Sequence, residues 1–115
     1  MTPQCYVEQV LDLYRRTPGT RGSARRADRR LAATLRQRGV PLELVDAALL
    51  VATARRALRP ATAPPLAPIA TLHYFLPVIE EILASPPDPA YFDYLRRRLA
   101  SLAPALATRA SYRLS

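Results

Sequence analysis

Arginine is the residue type in this 115-residue chain whose number and spacing could do chemistry. All 17 basic residues are Arg, set against nine carboxylates for a net charge of +8. Arg15, Arg16, Arg21, Arg25, Arg26, Arg29, Arg30 and Arg36 crowd one stretch, and Arg96, Arg97 and Arg98 form a second run. A guanidinium is a planar fork of donors that matches phosphate or carboxylate oxygens. Clusters of it therefore point to an anionic partner, with the phosphate backbone of a nucleic acid expected first and an acidic protein surface second. Residues 1–38 hold nine Arg against three acids, residues 39–90 three against five, and residues 91–115 five against one. Positive charge thus sits at the two ends of the chain around a near-neutral middle. The lack of Lys fits a GC-rich coding bias, so the distribution of charge says more than the choice of Arg.

Other chemistry is thinly provided. One Cys, Cys5, excludes an internal disulfide, and beside Tyr6 and Val7 it reads as packing. The one His, His73, lies between Leu72 and Tyr74 with no second ligand nearby and reads as a packed or capping residue. The carboxylates form no catalytic pair, no Ser-His-Asp or Cys-His set can be assembled, and no metal-ligand spacing occurs. The expectation is a binding protein, not an enzyme, with no cofactor. No run of about 18 apolar residues marks a membrane span, and acids stand where a signal peptide would be apolar, so a cytoplasmic location without membrane contact is expected.

The elements that must carry the arginines read as helices. Thr2-Pro3 starts one, and Tyr6, Val10 and Tyr14 with Val7 and Leu11 give it an apolar stripe to about residue 16. Residues 17–23 (TPGTRGS) break it, and their glycines allow close backbone approach to a phosphate, although the spacing excludes a nucleotide P-loop. Ser23 is expected to cap a second helix running to about Arg38, with Leu31 and Leu35 inward, Arg on the other faces and Asp28 the lone acid. Arginines in its first turns oppose the helix dipole, which favours negative charge there. Gly39 is the expected left-handed cap, and Pro41 starts a third, nearly all-apolar and central helix reaching Arg55-Arg56.

Residues 59–68 (RPATAPPLAP) are expected to form an extended crossover. A fourth helix over 69–84 carries Ile69, Leu72, Leu76, Ile79 and Leu83, and Pro77 either kinks it or begins it after a short turn. Asp88-Pro89 starts a fifth helix with Phe92, Leu95, Leu99 and Leu102 inward, which Pro104 bends or ends. Tyr91, Tyr94 and Tyr112 could stack on unpaired bases, with core packing expected for at least two of them. The fold expected is all-α: a single bundle of about five helices with Pro-rich connectors over 1–104, then a frayed tail over 105–115.

Gly39, Val40 and Val45 stand at spacings resembling the turn of a helix-turn-helix, whose recognition helix would then offer Pro41, Leu42, Glu43, Asp46 and Ala47 to bases. Those side chains are poor in donors and their carboxylates repel phosphate. The run LRQRGVPLELVDAAL is also similar to the helix–Gly–helix repeats of RecX-type recombination regulators. The order of elements, with IATLHYFLPVIEEIL closing it, resembles the helical C-terminal domain of DnaD-like primosome and phage replication proteins over about residues 6–84. Tyr74, Ile79 and Leu83 match that family's Tyr and spaced Ile and Leu, while its trailing Trp has no counterpart and Pro77 interrupts the matching helix. The resemblance implies a DNA-associated helical module of a replication system or mobile element. The expected function is a small accessory protein that grips nucleic-acid backbone through its Arg clusters. The alternative is an interaction adaptor or small subunit, a homodimer through the third helix or the fifth-helix stripe included.

Overall fold

Proline, glycine and capping residues divide the chain where apolar periodicity lapses, and the structure follows most of those divisions. It is a computed structural model describing residues 2–114, with side chains through residue 101. The helices are α1 (Pro3–Arg16), α2 (Arg26–Gln37), α3 (Leu42–Ala57), α4 (Leu76–Ala84) and α5 (Pro89–Leu114), with a 3-10 turn, η1 (Leu72–Phe75), ahead of α4. Among the described residues there is no strand, and the fold is the expected all-α bundle with Pro-rich connectors. No helix among them is long and apolar enough to cross a membrane.

At the centre lies α3, packed against α1, α4, α5 and η1. Val45, Ala47, Ala48, Leu49, Val51, Ala52, Thr53 and Ala54 are all buried, so burial runs around the helix and not along one stripe. Its many alanines let the neighbouring helices come close, and the buried Thr53 hydroxyl is satisfied by donating to the Leu49 carbonyl at 2.7 Å. Of the residues that a recognition helix would offer, Ala47 is buried while Pro41, Leu42, Glu43 and Asp46 reach the surface, and these supply two carboxylates and no side-chain donor for a base edge. Tyr14 and Phe75, both fully buried, meet edge to face with ring centroids 6.1 Å apart and join α1 to η1.

The turn between α2 and α3 forms as its residues require. Gly39 adopts φ +75°, its N–H donates to Arg36 O at 2.9 Å, and the Val40 N–H donates to Leu35 O at 3.0 Å. These two bonds satisfy carbonyls that the helix end would otherwise orphan, and Val40 and Leu35 are both buried beside them. The Tyr6 hydroxyl donates to Val40 O at 2.8 Å, which ties α1 to the same turn.

The start of α2 departs from expectation. Ser23 does not cap it, because Arg21 N–H is committed to Ile69 O at 3.2 Å and Arg25, at φ −108° and ψ 174°, is the N-cap. Asp28 fixes that boundary. Its carboxylate is fully buried and accepts from Arg25 N–H (2.8 Å), Leu72 N–H (2.8 Å) and the Thr71 hydroxyl (2.9 Å). One side chain thereby closes the first turn of α2 and the first turn of η1.

In the second half of the chain the phase shifts. Thr71 caps η1, accepting from His73 N–H at 3.2 Å, and α4 begins only at Leu76, so Pro77 sits in its first turn where a missing N–H is harmless. The tighter 3-10 turn rotates the α4 face relative to a continuous helix: Ile82 is buried, whereas Leu83 is 36% exposed and Tyr74 44% exposed. Of Tyr74, Ile79 and Leu83, only Ile79 is a core residue. Within α5, Leu95 is buried, Phe92 and Leu99 are half-buried, and Tyr91 and Tyr94 stand out at 42% and 48% exposure. Core packing of at least two of the three tyrosines is thereby excluded, and the side chains of Leu102 and Tyr112 lie outside the described residues. The α5 backbone is helical through Pro104 to Leu114, where a break and a frayed tail were expected. Cys5 is exposed, one position off the α1 stripe, and His73 is exposed with Nδ1 3.1 Å from the Thr71 hydroxyl oxygen; neither is packed in the core.

Two stability predictions follow from the buried polar groups. Burial alone would raise the Asp28 pKa, but hydrogen bonds from Arg25, Leu72 and Thr71 and the nearby His73 outweigh it and hold the carboxyl below the ordinary aspartate range. A depressed folded pKa means that the stabilisation is complete above the unfolded value of about 4 and drains away as pH falls through the folded value. Asp28→Ala, which strands three donors, should cost about 3 kcal/mol in denaturant unfolding, and Asp28→Asn should flatten the acid limb of stability below about pH 4. The Tyr14 hydroxyl has no hydrogen-bond partner among the described residues, and burial with the nearby Asp28 charge pushes its pKa up. Tyr14→Phe should therefore leave stability unchanged or raise it by about 1 kcal/mol, read as an upward shift in melting temperature.

Candidate functional site

The arginines sort by what answers their charge. Arg16 pairs with Asp12 at 2.9 Å within α1, and Arg29 reaches from α2 to Glu8 on α1 at 2.5 Å. Arg38, just past α2, meets Glu80 at 2.6 Å, and Arg55 grips Glu81 with both terminal nitrogens at 2.9 and 2.6 Å. The hydrogen bonds from Arg38 and Arg55 hold the Glu80 and Glu81 carboxyls below the usual glutamate range. All of these pairs are about half exposed and screened by solvent, so they orient helices more than they stabilise them.

Four of the remaining arginines stand together where α2 begins. Arg21, Arg25, Arg26 and Arg30 are exposed and form no ion pair among the described residues, and Arg36, half-buried, forms none either. Arg15 is exposed and donates its Nε–H only to the Leu11 carbonyl at 3.3 Å. The lone acid of this segment, Asp28, spends its oxygens on the interior, so nothing on the segment's own surface offsets the cations. Positive side chains there also face the positive end of the helix dipole. Such charge is tolerable in water and strongly attractive to a polyanion.

The glycine loop of residues 17–23 is not a free phosphate cradle. Ile69 donates its N–H to Gly19 O at 2.7 Å and accepts from Arg21 N–H, an isolated parallel bridge that pins the loop to the end of the crossover. Gly19 is in the left-handed region, φ +91°, and lies against Arg56, whose Nε would stand 3.3 Å from a Cβ placed there. The second Arg cluster is separate from the first: α5 packs on α3, whereas α2 packs on α1 and η1. In it, Arg96 contacts Asp93 at 3.3 Å while Arg97 and Arg98 are exposed. Of the eleven arginines singled out by sequence, Arg21, Arg25, Arg26 and Arg30 stand unpaired where α2 begins, Arg15 and Arg16 close α1, Arg29 is held by Glu8, Arg36 lies in the last turn of α2, and Arg96, Arg97 and Arg98 sit apart on α5.

A third basic site was not foreseen. Arg55, Arg56 and Arg59 at the end of α3, with Leu66 of the crossover and Tyr74 and Val78, line a cleft of about 250 Å³. In sequence, Arg55-Arg56 reads only as cations suited to a helix C-terminus; the return of the crossover over them, fixed by the bridge to Thr20, is what makes the cleft. Among the described residues no three His, Cys, Asp or Glu side chains converge as metal ligands. Compared with family models, with curated proteins and with solved structures, the chain finds no match in any of the three.

Proposed function

We propose that this chain is a small nucleic-acid-binding accessory protein that contacts the phosphate backbone, with little sequence preference, through the Arg-rich start of α2. The observation that carries this reading is the inward turn of Asp28, which leaves Arg21, Arg25, Arg26 and Arg30 exposed with no carboxylate among them. Guanidinium–phosphate contacts need no groove-reading helix, in keeping with the donor-poor surface at the start of α3. Arg97 and Arg98, with Tyr91 and Tyr94 exposed on the same helix, offer a second contact. The resemblance to DnaD-like proteins suggests a replication system or a mobile element as the setting, and binding, not catalysis, as the role.

A second reading has its own support. A groove lined by Leu44, Ala47, Ile82 and Phe92, with Glu43 and Arg96 also in its walls, is a surface suited to a protein partner or a second copy of the chain. Such a complex would persist at salt concentrations that strip a polyanion.

Fluorescence anisotropy with labelled oligonucleotides across a salt series tests the first reading. Four backbone contacts on duplex DNA should make log affinity fall with log salt at a slope of about −3.6. The triple variant Arg25→Ala, Arg26→Ala, Arg30→Ala spares the Arg29–Glu8 pair and should keep its helical circular dichroism. It should bind far more weakly at low salt, with the slope reduced by about 2.7. Absence of binding at low salt, or a triple variant indistinguishable from the parent, would overturn the reading.

A further inference from the structure

The cleft at the end of α3 holds a charge that its surroundings do not explain. Arg55 is committed to Glu81. Arg56, half-buried, donates to the Tyr74 hydroxyl oxygen and to the Ala67 carbonyl, each at 3.2 Å, so both of its partners are neutral. The Arg59 guanidinium has no ion-pair or hydrogen-bond partner among the described residues. Three guanidiniums face the single carboxylate of Glu81 and roughly half a negative charge from the α3 dipole, leaving about one and a half positive charges. A helix C-terminus favours Arg55 and Arg56 on its own account, but not Arg59, which lies beyond the helix.

Beside this charge stands an aromatic ring that is not packed away. Tyr74 is 44% exposed, carries Arg56 over its ring at 5.5 Å and meets Phe75 edge to face at 5.2 Å. Its hydroxyl accepts from Arg56, so its own proton remains available for an anionic oxygen. Leu66 and Val78 supply apolar wall. The volume, about 250 Å³, falls below the ~300–1,000 Å³ typical of whole-ligand pockets and suits a single ring with its attached group.

We propose that this cleft seats one nucleotide unit, its base against Tyr74 and its phosphate on Arg56 and Arg59. The ring and the phosphate are the same whether the unit belongs to a single strand or is a free mononucleotide; only the strand source rests on the nucleic-acid reading above. Arg56 Nε would stand 3.3 Å from a Cβ placed at Gly19, which puts the cleft beside the loop that leads into α2, so one strand can run from the α2 arginines into the cleft.

The test uses the full chain and three probes: adenosine monophosphate by titration calorimetry, and a short oligothymidylate and an abasic strand of equal length by anisotropy. The parent should bind the base-bearing strand roughly tenfold more tightly than the abasic one, the size of one stacked base. Tyr74→Leu should abolish that preference with little change in salt slope. Arg59→Ala, which removes no hydrogen bond or ion pair among the described residues and should keep its helical circular dichroism, should weaken strand binding and reduce the slope by about 0.7. Adenosine monophosphate binding that is lost in both variants would identify the free nucleotide as a ligand. Equal binding of the two strands with no binding of adenosine monophosphate, or a base preference that survives Tyr74→Leu, would overturn the cleft while leaving the α2 surface standing. Mononucleotide binding dependent on Arg59 and Tyr74, with no strand bound, would support the cleft and overturn the α2 reading. Silence from all three probes would overturn both.

Discussion

A carboxylate shut away from water must have its charge answered on the spot, and in this protein Asp28 meets that demand with two backbone N–H groups and one hydroxyl. The donors come from elements far apart in sequence. Satisfying the buried charge therefore means bringing the first turn of α2 against the start of η1. Several features depend on that single arrangement: the boundary that makes Arg25 an N-cap, the placement of Phe75 against Tyr14, and the exposure of Tyr74. Position within the helix helps as well, because an acid in the first turn of α2 lies at the positive end of the dipole. Removing either the charge or its donors would loosen the site and the core together.

The same carboxylate shapes the outer surface by what it withholds. Elsewhere the protein answers arginine with acid across helix interfaces, from α2 to α1, from the end of α2 to α4, and from α3 to α4. At the start of α2 only Arg29 is so answered, and Arg21, Arg25, Arg26 and Arg30 have no carboxylate partner among the described residues. The cleft at the end of α3 repeats the imbalance on a smaller scale with Arg56 and Arg59.

Much of the scaffold was legible in the residues. The caps at Thr2 and Asp88, the left-handed Gly39 with the two backbone bonds of its turn, and the nearly all-apolar α3 all follow from local chemistry that acts over a few positions. The failures share a different cause. Asp28 reads as one acid among arginines because its Thr71 and Leu72 partners are invisible to local pattern. Its place three residues after Arg25 was the only clue. Helix periodicity through Ile69–Leu83 misassigned Leu83 because a 3-10 turn changes the phase without changing composition. Cys5 and His73 read as packed because their neighbours in sequence are apolar, although a helix turns by about 100° per residue and puts adjacent residues on different sides. The cleft was beyond reach for the plainest reason: its walls come from a helix end, a proline-rich crossover and a 3-10 turn that only tertiary folding assembles.

The bridge between Thr20 and Ile69 is small, yet it closes a ring of roughly fifty residues that contains both α2 and α3. Bringing those ends together has an entropic cost that the packed helix pair must offset, so the bridge depends on the packing of α2 and α3 more than on its own two hydrogen bonds. The Ile69 amide is then a natural reporter in hydrogen exchange. Its protection would measure how long the crossover stays closed over Arg56.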